Sequence, residues 1–177
     1  MPETATWILR SPTLADENQA NEADAELAVD GFSFALRAPG STWAEYLAKV
    51  ERDHEGLDLA PDRVAATMLF ALVEDSRMGE ELVGRVHIRH ALTPYLLAAG
   101  GHIGYGVRPA HRGKGYATQM LRHGLLVLTD LGLERALVTC DDGNLGSQRT
   151  IERCGGVLEN IDDSDGVPKR RYWIDLS

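Results

Sequence analysis

Cysteine is scarce in this chain: Cys140 and Cys154 are the only two in 177 residues, and they have neither CxxC spacing nor a nearby pair of histidines. That excludes the common zinc patterns and a disulfide scaffold, so no metal is expected and a reducing, cytoplasmic setting is. Long apolar runs are missing as well. No stretch reaches the ~18 residues of a membrane span, and the opening MPETATWILR lacks the basic start and apolar core of an export signal. A membrane partner is therefore not expected. Basic residues are outnumbered, 18 Lys and Arg against 27 Asp and Glu, for a formal charge of −9. Such a field does not gather nucleic acid through its phosphates, and it suits an amine-bearing partner better. The hydrophobic content of 44% is enough for one sizeable core, so one domain is expected over residues 1–177.

Changes of hydrophobic period divide that domain into three stretches. Residues 1–63 read as an N-terminal strand, TWILRSPTL (6–14), and two helices. The first covers 15–31 and is closed by Gly31. The second follows Ser41 as N-cap, with Trp43, Tyr46, Leu47 and Val50 at helical spacing before Gly56. Residues 64–143 read as a central sheet with one long helix. AATMLFALVED (65–75) and ELVGRVHIRH (81–90) form a hairpin across SRMGE, LTPYLLAAGG (92–101) is an apolar loop, and HIGYGV (102–107) is a third strand. On that strand Ile103, Tyr105 and Val107 share one face, and His102, Gly104 and Gly106 share the other. A strongly amphipathic helix ends near Gly132, with its N-terminus at 112–115, and RALVTC (135–140) is a further strand. Residues 144–177 read as a short helix, 147–156, capped by Ser147, then a last hairpin, VLENID and KRRYWIDL, about an SDG turn. The order is mixed α/β, without repeats or linkers.

GHIGYGVRPAHRGKGYAT (101–118) concentrates basic residues in this acidic chain. A strand entering a helix through RGKG leaves the helix's first N–H groups unpaired, and the glycines let a ligand approach the backbone. With the helix dipole, those N–H groups make an anion site, and Arg112 and Lys114 add charge. The loop is not a Walker A motif, because Gly113-Lys114 lies five residues after Arg108 and is followed by Gly115 rather than Ser or Thr. A dinucleotide fingerprint fails too, since GKGYAT ends in Thr118 with no strand-end acid about 20 residues on.

RGKGYA resembles the [Q/R]xxGx[G/A] pyrophosphate loop of the GNAT superfamily of acyl-coenzyme A-dependent N-acyltransferases. HIGYGVRP looks like that superfamily's fourth strand and VTC like its fifth. NLGSQRTIERCGG (144–156) looks like its second motif, and residues 64–176 follow its order of elements. GGHIGYGVRP, KGYAT, CDDGN, GGVLEN and RYWID together are similar to a bacterial subgroup of acetyltransferases whose acceptor is not identified. The resemblance implies a mixed, mostly antiparallel sheet splayed between its fourth and fifth strands, flanked by helices, with acetyl-coenzyme A as co-substrate in the gap. Backbone groups near Tyr105 and Val107 would pair with the pantetheine amides as an added strand would. The N–H groups of Arg112, Gly113, Lys114, Gly115, Tyr116 and Ala117, with Thr118 beside them, would hold the pyrophosphate. Asn144 would meet the pantetheine arm with Ser147 close by, although both residues also suit plain turn and cap roles. Two positions depart from the family: Ile151 stands where many relatives carry a tyrosine that protonates the leaving thiolate, and Gly156 stands where an aromatic often follows the closing glycine.

The expected function is direct transfer of acetyl to a primary amine of a small molecule or peptide. A non-catalytic acyl-coenzyme A sensor and a structural module with the same fold are the competing readings. Tyr95, Leu96 and Leu97 beside the cleft strand suggest an acceptor with an apolar portion, and a homodimer through that loop is the rival explanation for them. An aliphatic ammonium with a pKa of ~10.4 must lose a proton before it attacks, and His102, at ~6.5, is the expected general base. His87, His90 and a water chain are the alternatives. Tyr105, Tyr172 or water would then protonate the thiolate.

Overall fold

The computed structural model describes residues 6–75, 79–164 and 166–177. The tips of both expected hairpins, Ser76 to Met78 and Asp165, lie outside the described residues. In chain order the elements are β1 (Thr6–Arg10), α1 (Glu17–Ala28), α2 (Trp43–Glu55), β2 (Ala66–Asp75), β3 (Gly79–Arg89), β4 (Ile103–Val107), α3 (Tyr116–Asp130), β5 (Arg135–Asp141), α4 (Leu145–Arg153), β6 (Val157–Asp162) and β7 (Lys169–Asp175). They build two antiparallel sheets, β1-β2-β3-β4 and β5-β7-β6.

β2 is apolar almost throughout because both of its faces are covered. Met68, Phe70 and Leu72 face α1 and α2, while Leu69, Ala71 and Val73 face the core that also holds Met120 and Leu121 of α3. The α1–α2 side is sealed by Phe34 and Phe70, whose ring centroids are 5.4 Å apart, and by Trp43 tilted against Tyr46. β4 alternates as its sequence requires. Tyr105 and Val107 pack toward α3, whereas a Cβ built on Gly106 would stand 2.5 Å from the Phe32 ring on the opposite face.

Two helix starts differ from expectation by the same logic. α2 is capped by Thr42 rather than Ser41. The Thr42 hydroxyl accepts from Glu45 N–H at 3.2 Å and the Glu45 carboxylate accepts from Thr42 N–H at 2.7 Å, while Ser41 donates its hydroxyl to Ala38 O. This is a reciprocal capping box. α4 is capped by Asn144, whose Oδ1 accepts from Ser147 N–H at 3.0 Å, so Ser147 is inside the helix. The apolar stretch 92–101 contains a π-helical turn, Leu96–Gly100, in which Leu96 is buried but Tyr95 and Leu97 are exposed.

β4 and β5 belong to different sheets and meet through a clamp just before β4. His102 N–H donates to Leu137 O at 2.7 Å, and Leu137 N–H donates to His102 Nδ1 at 2.9 Å. Gly101, at φ +62°, makes the approach feasible, since a Cβ there would lie 2.7 Å from Leu137 O. From this fixed point the two strands diverge, and the gap between them is the cleft.

Candidate active site

The cleft has a volume of about 940 Å³ and runs from Gly31 and Phe32, along β4, to the N-terminal ends of α3 and α4. Tyr105, Val107, Arg112, Gly113, Gly115, Tyr116, Ala117, Thr118, Asn144 and Ser147 all line it. Lys114 is exposed and lies outside the lining, as does His102. Tyr95 and Leu96 line a separate cavity, and Leu97 lines neither.

One end of the cleft is built from backbone. Gly113 and Gly115 have φ of +77° and +87°, and nothing lies within 4 Å of a Cβ built on either, so they face open space. Gly115 caps α3 without a side-chain hydrogen bond, and the first turn of α3 holds no acid. Its leading N–H groups are thus free to meet an anion. Tyr116 is steadied by stacking on Trp7, with centroids 5.3 Å apart and an interplanar angle of 12°. Arg112, expected to add charge to the anion site, donates from Nη2 to Asp30 at 2.7 Å and from Nε to Val107 O. Arg149 and Arg153 of α4 also line the cleft. Sequence reading passed over them, although their four-residue spacing puts both on one helix face.

At the middle of the cleft the Tyr105 hydroxyl lies 2.7 Å from Ser147 Oγ. Burial pushes its pKa above the ordinary phenol range, so it remains a neutral O–H donor. Cys140, also in the lining, is raised to about 11, first by burial, and is no nucleophile at neutral pH. Ile151 is fully buried, and a Cβ on Gly156 would come 2.5 Å from its Cγ2, so its position serves packing. Tyr172 is excluded as an acid for this cleft: it is fully buried and its hydroxyl donates to Glu152.

The expectation that His102 is the general base is also overturned. Its Nδ1 lone pair accepts Leu137 N–H, which puts the neutral ring's proton on Nε2 and leaves no free basic nitrogen. Burial, then the nearby Arg89 charge, lowers its pKa to about 4. His87 is pushed down to about 2 by burial and four surrounding cations. His90 is hydrogen-bonded to Thr67, which also bonds His54, outside the cleft lining.

Comparison with known proteins then decides the family. The model of the acetyltransferase (GNAT) domain matches residues 7–157. The chain belongs to the GNAT acetyltransferase family. No curated protein sequence matches it. Solved structures share its fold. One is yncA from Salmonella typhimurium with its cofactor acetyl-CoA, at 14% identity, covering 97% of this chain and 94% of that one, with a TM-score of 0.62. A mutant of the spermidine N-acetyltransferase SpeG from Vibrio cholerae has 20% identity, covering 96% and 95%, with a TM-score of 0.61. A domain from Methanocaldococcus jannaschii has 15% identity, covering 97% and 99%, with a TM-score of 0.64. As a GNAT acyltransferase the chain takes acetyl-coenzyme A as co-substrate. The cleft fits that molecule: the glycines leave room at the uncapped α3 N-terminus, and a gap beside β4 continues from it. No described helix is long and apolar enough to cross a membrane.

Proposed function

We propose that this protein transfers acetyl from acetyl-coenzyme A directly to a primary amine in a ternary complex. The observation that carries the reading is one continuous cleft joining the uncapped α3 N-terminus to the Tyr105–Ser147 hydroxyl pair. The N–H groups of residues 113–117 bind the pyrophosphate, Arg112 N–H being already donated to Pro109 O at 3.3 Å, Thr118 lies alongside, and β4 backbone at Tyr105 and Val107 pairs with the pantetheine amides. Asn144 spends its Oδ1 on the α4 cap, which leaves its Nδ2 for the pantetheine arm.

The amine nitrogen attacks the thioester carbonyl carbon, the C–S bond breaks and its electron pair goes to sulfur. Tyr105 O–H protonates that sulfur, and the second proton, which the attacking nitrogen sheds on becoming an amide, returns to Tyr105 through half-buried Ser147. The proton of the starting ammonium passes to water: His87, His90 and His102 are absent from the cleft lining, and His111, which lines it, holds Glu81 through Nε2. A thiol leaves readily at pKa ~8.5, so Tyr105 assists rather than governs the step.

The test is thiol release with a panel of amines, read together with the acetylated product. Release that requires an amine supports the transferase. Tight acetyl-coenzyme A binding without release from any amine would favour a sensor.

A further inference from the structure

On β3, Arg85, His87 and Arg89 alternate along one strand face, and neither arginine forms an ion pair among the described residues. Buried charge without a counter-charge is costly, and the cost is greatest where water is excluded. Arg85 satisfies its guanidinium on the carbonyls of Phe34, Gly104 and Ser33 and sits 4.5 Å from the Phe32 ring. Arg89 does not. Its Nη1 donates to Gly100 O and Gly101 O, whereas Nε and Nη2 have no partner among the described residues.

Arg89 and His87 line a second cavity, of about 590 Å³, closed on one side by Tyr95 and Leu96 of the π-helical turn. The His87 Nδ1 is buried there without a hydrogen-bond partner. Lys49 and Arg63 complete its cationic side. The acids at this cavity are Asp53, which is paired with Lys49, and the exposed Asp62, whose charge is screened by water. The cavity adjoins the main cleft, because Gly104 lines the cleft and a Cβ built on it would be 3.8 Å from Arg89 Nη1.

We infer that this second cavity is the acceptor site and that it selects a free amino acid with an apolar side chain, its carboxylate held by Arg89 with Arg63 at the rim. The inference rests on the transferase reading above. A guanidinium whose Nε and Nη2 have no partner among the described residues presents one two-pronged N–H edge, the matching donor for a planar carboxylate, and Tyr95 and Leu96 offer the apolar wall. The same cations repel polyamines, so the site chooses against spermidine-like acceptors even though the molecule as a whole is acidic.

The test uses matched amines at equal concentrations of unprotonated amine: phenylalanine with phenethylamine, leucine with isoamylamine, and spermidine. In the parent, the carboxylate-bearing member of each pair should show at least ~10-fold higher kcat/KM, and spermidine should be the poorest. Arg89→Gln should erase the preference by raising KM for phenylalanine at least ~10-fold more than KM for phenethylamine. Arg89 is half-buried, so exposed Arg63→Ala provides a second variant, with a severalfold smaller preference expected. Equal rates within each pair, or a preference that survives in Arg89→Gln, would overturn the inference while leaving the transferase intact. Better turnover of the phosphonate analogue of phenylalanine would overturn the carboxylate assignment. If no amine releases thiol, the transferase reading fails, and calorimetry of phenylalanine with the coenzyme A complex reads the cavity by itself. Binding weakened by Arg63→Ala would support the site, and no binding would remove it.

Discussion

Gly115→Asp separates the backbone anion site from every other contribution to coenzyme A binding. Gly115 has φ +87°, where a side chain costs about 1–2 kcal/mol, but no protein atom lies within 4 Å of its Cβ position. The fold should therefore survive the substitution, slightly destabilised. A carboxylate about 5 Å from a phosphate charge, at an effective dielectric constant of about 20, repels it by roughly 3 kcal/mol. At about 1.4 kcal/mol per decade, that predicts at least a ~100-fold weaker Kd for coenzyme A at low salt, shrinking as salt is added. Gly40→Asp is the matched control: Gly40 has φ +78°, is equally open, and lies outside the cleft lining. It carries the same backbone cost with no effect on coenzyme A. Titration calorimetry of both variants, with thermal melts to confirm folding, is the assay. A Kd for Gly115→Asp within about threefold of the parent, with Gly40→Asp behaving likewise, would refute the pyrophosphate placement.

Tyr105→Phe keeps the ring and removes the donor, so kcat should fall ~10- to 10²-fold with Kd for acetyl-coenzyme A unchanged, as read by steady-state kinetics and calorimetry; an unaltered kcat would remove Tyr105 from the chemistry. The pH profile of kcat/KM should rise with the acceptor's own ionisation and show no inflection near the ordinary histidine value of ~6.5. An inflection there would mean that a histidine base has been missed. Since His102 has a folded pKa depressed to about 4, its contribution to stability is complete above about 6.5 and is lost as pH falls from there through 4. Urea midpoints of the parent should decline across that window, and His102→Gln should decline less, part of the slope remaining with His87; identical slopes would contradict the clamp. Asp30→Asn frees Arg112 from a half-exposed ion pair worth about 0–1 kcal/mol, so coenzyme A should bind up to about fivefold more tightly by calorimetry. Weaker binding would mean that Arg112 works only when held in place.

What the sequence conveyed well was local. The alternation of HIGYGV, the glycines of RGKG and the period of the helix after them depend on neighbours a few residues away, and β4, the loop and α3 follow them. The helix starts were misread by one and three residues because a cap is decided by which oxygen finds an N–H three residues on, and both Ser41 and Thr42 have the chemistry. His102 was misassigned for a different reason. Its role is fixed by Leu137, thirty-five residues further along, whose N–H occupies the lone pair a base would need. Nothing in GGHIGYG announces that partner. Arg85, His87 and Arg89 alternate in LVGRVHIRH and so share a strand face, but nothing in that stretch says that the face is interior. The cavity they help to form depends on where the 92–101 segment turns back, and that came only with the π-helical turn at Leu96.

The central claim is transfer of acetyl to an amine in this cleft, and the most direct measurement is stoichiometry. Thiol released from acetyl-coenzyme A and N-acetylated amine formed, the latter by mass spectrometry, should accumulate one to one in the parent, and both should collapse together in Gly115→Asp at sub-saturating acetyl-coenzyme A. Thiol release without acetylated amine, or equal rates in parent and variant, would contradict the account.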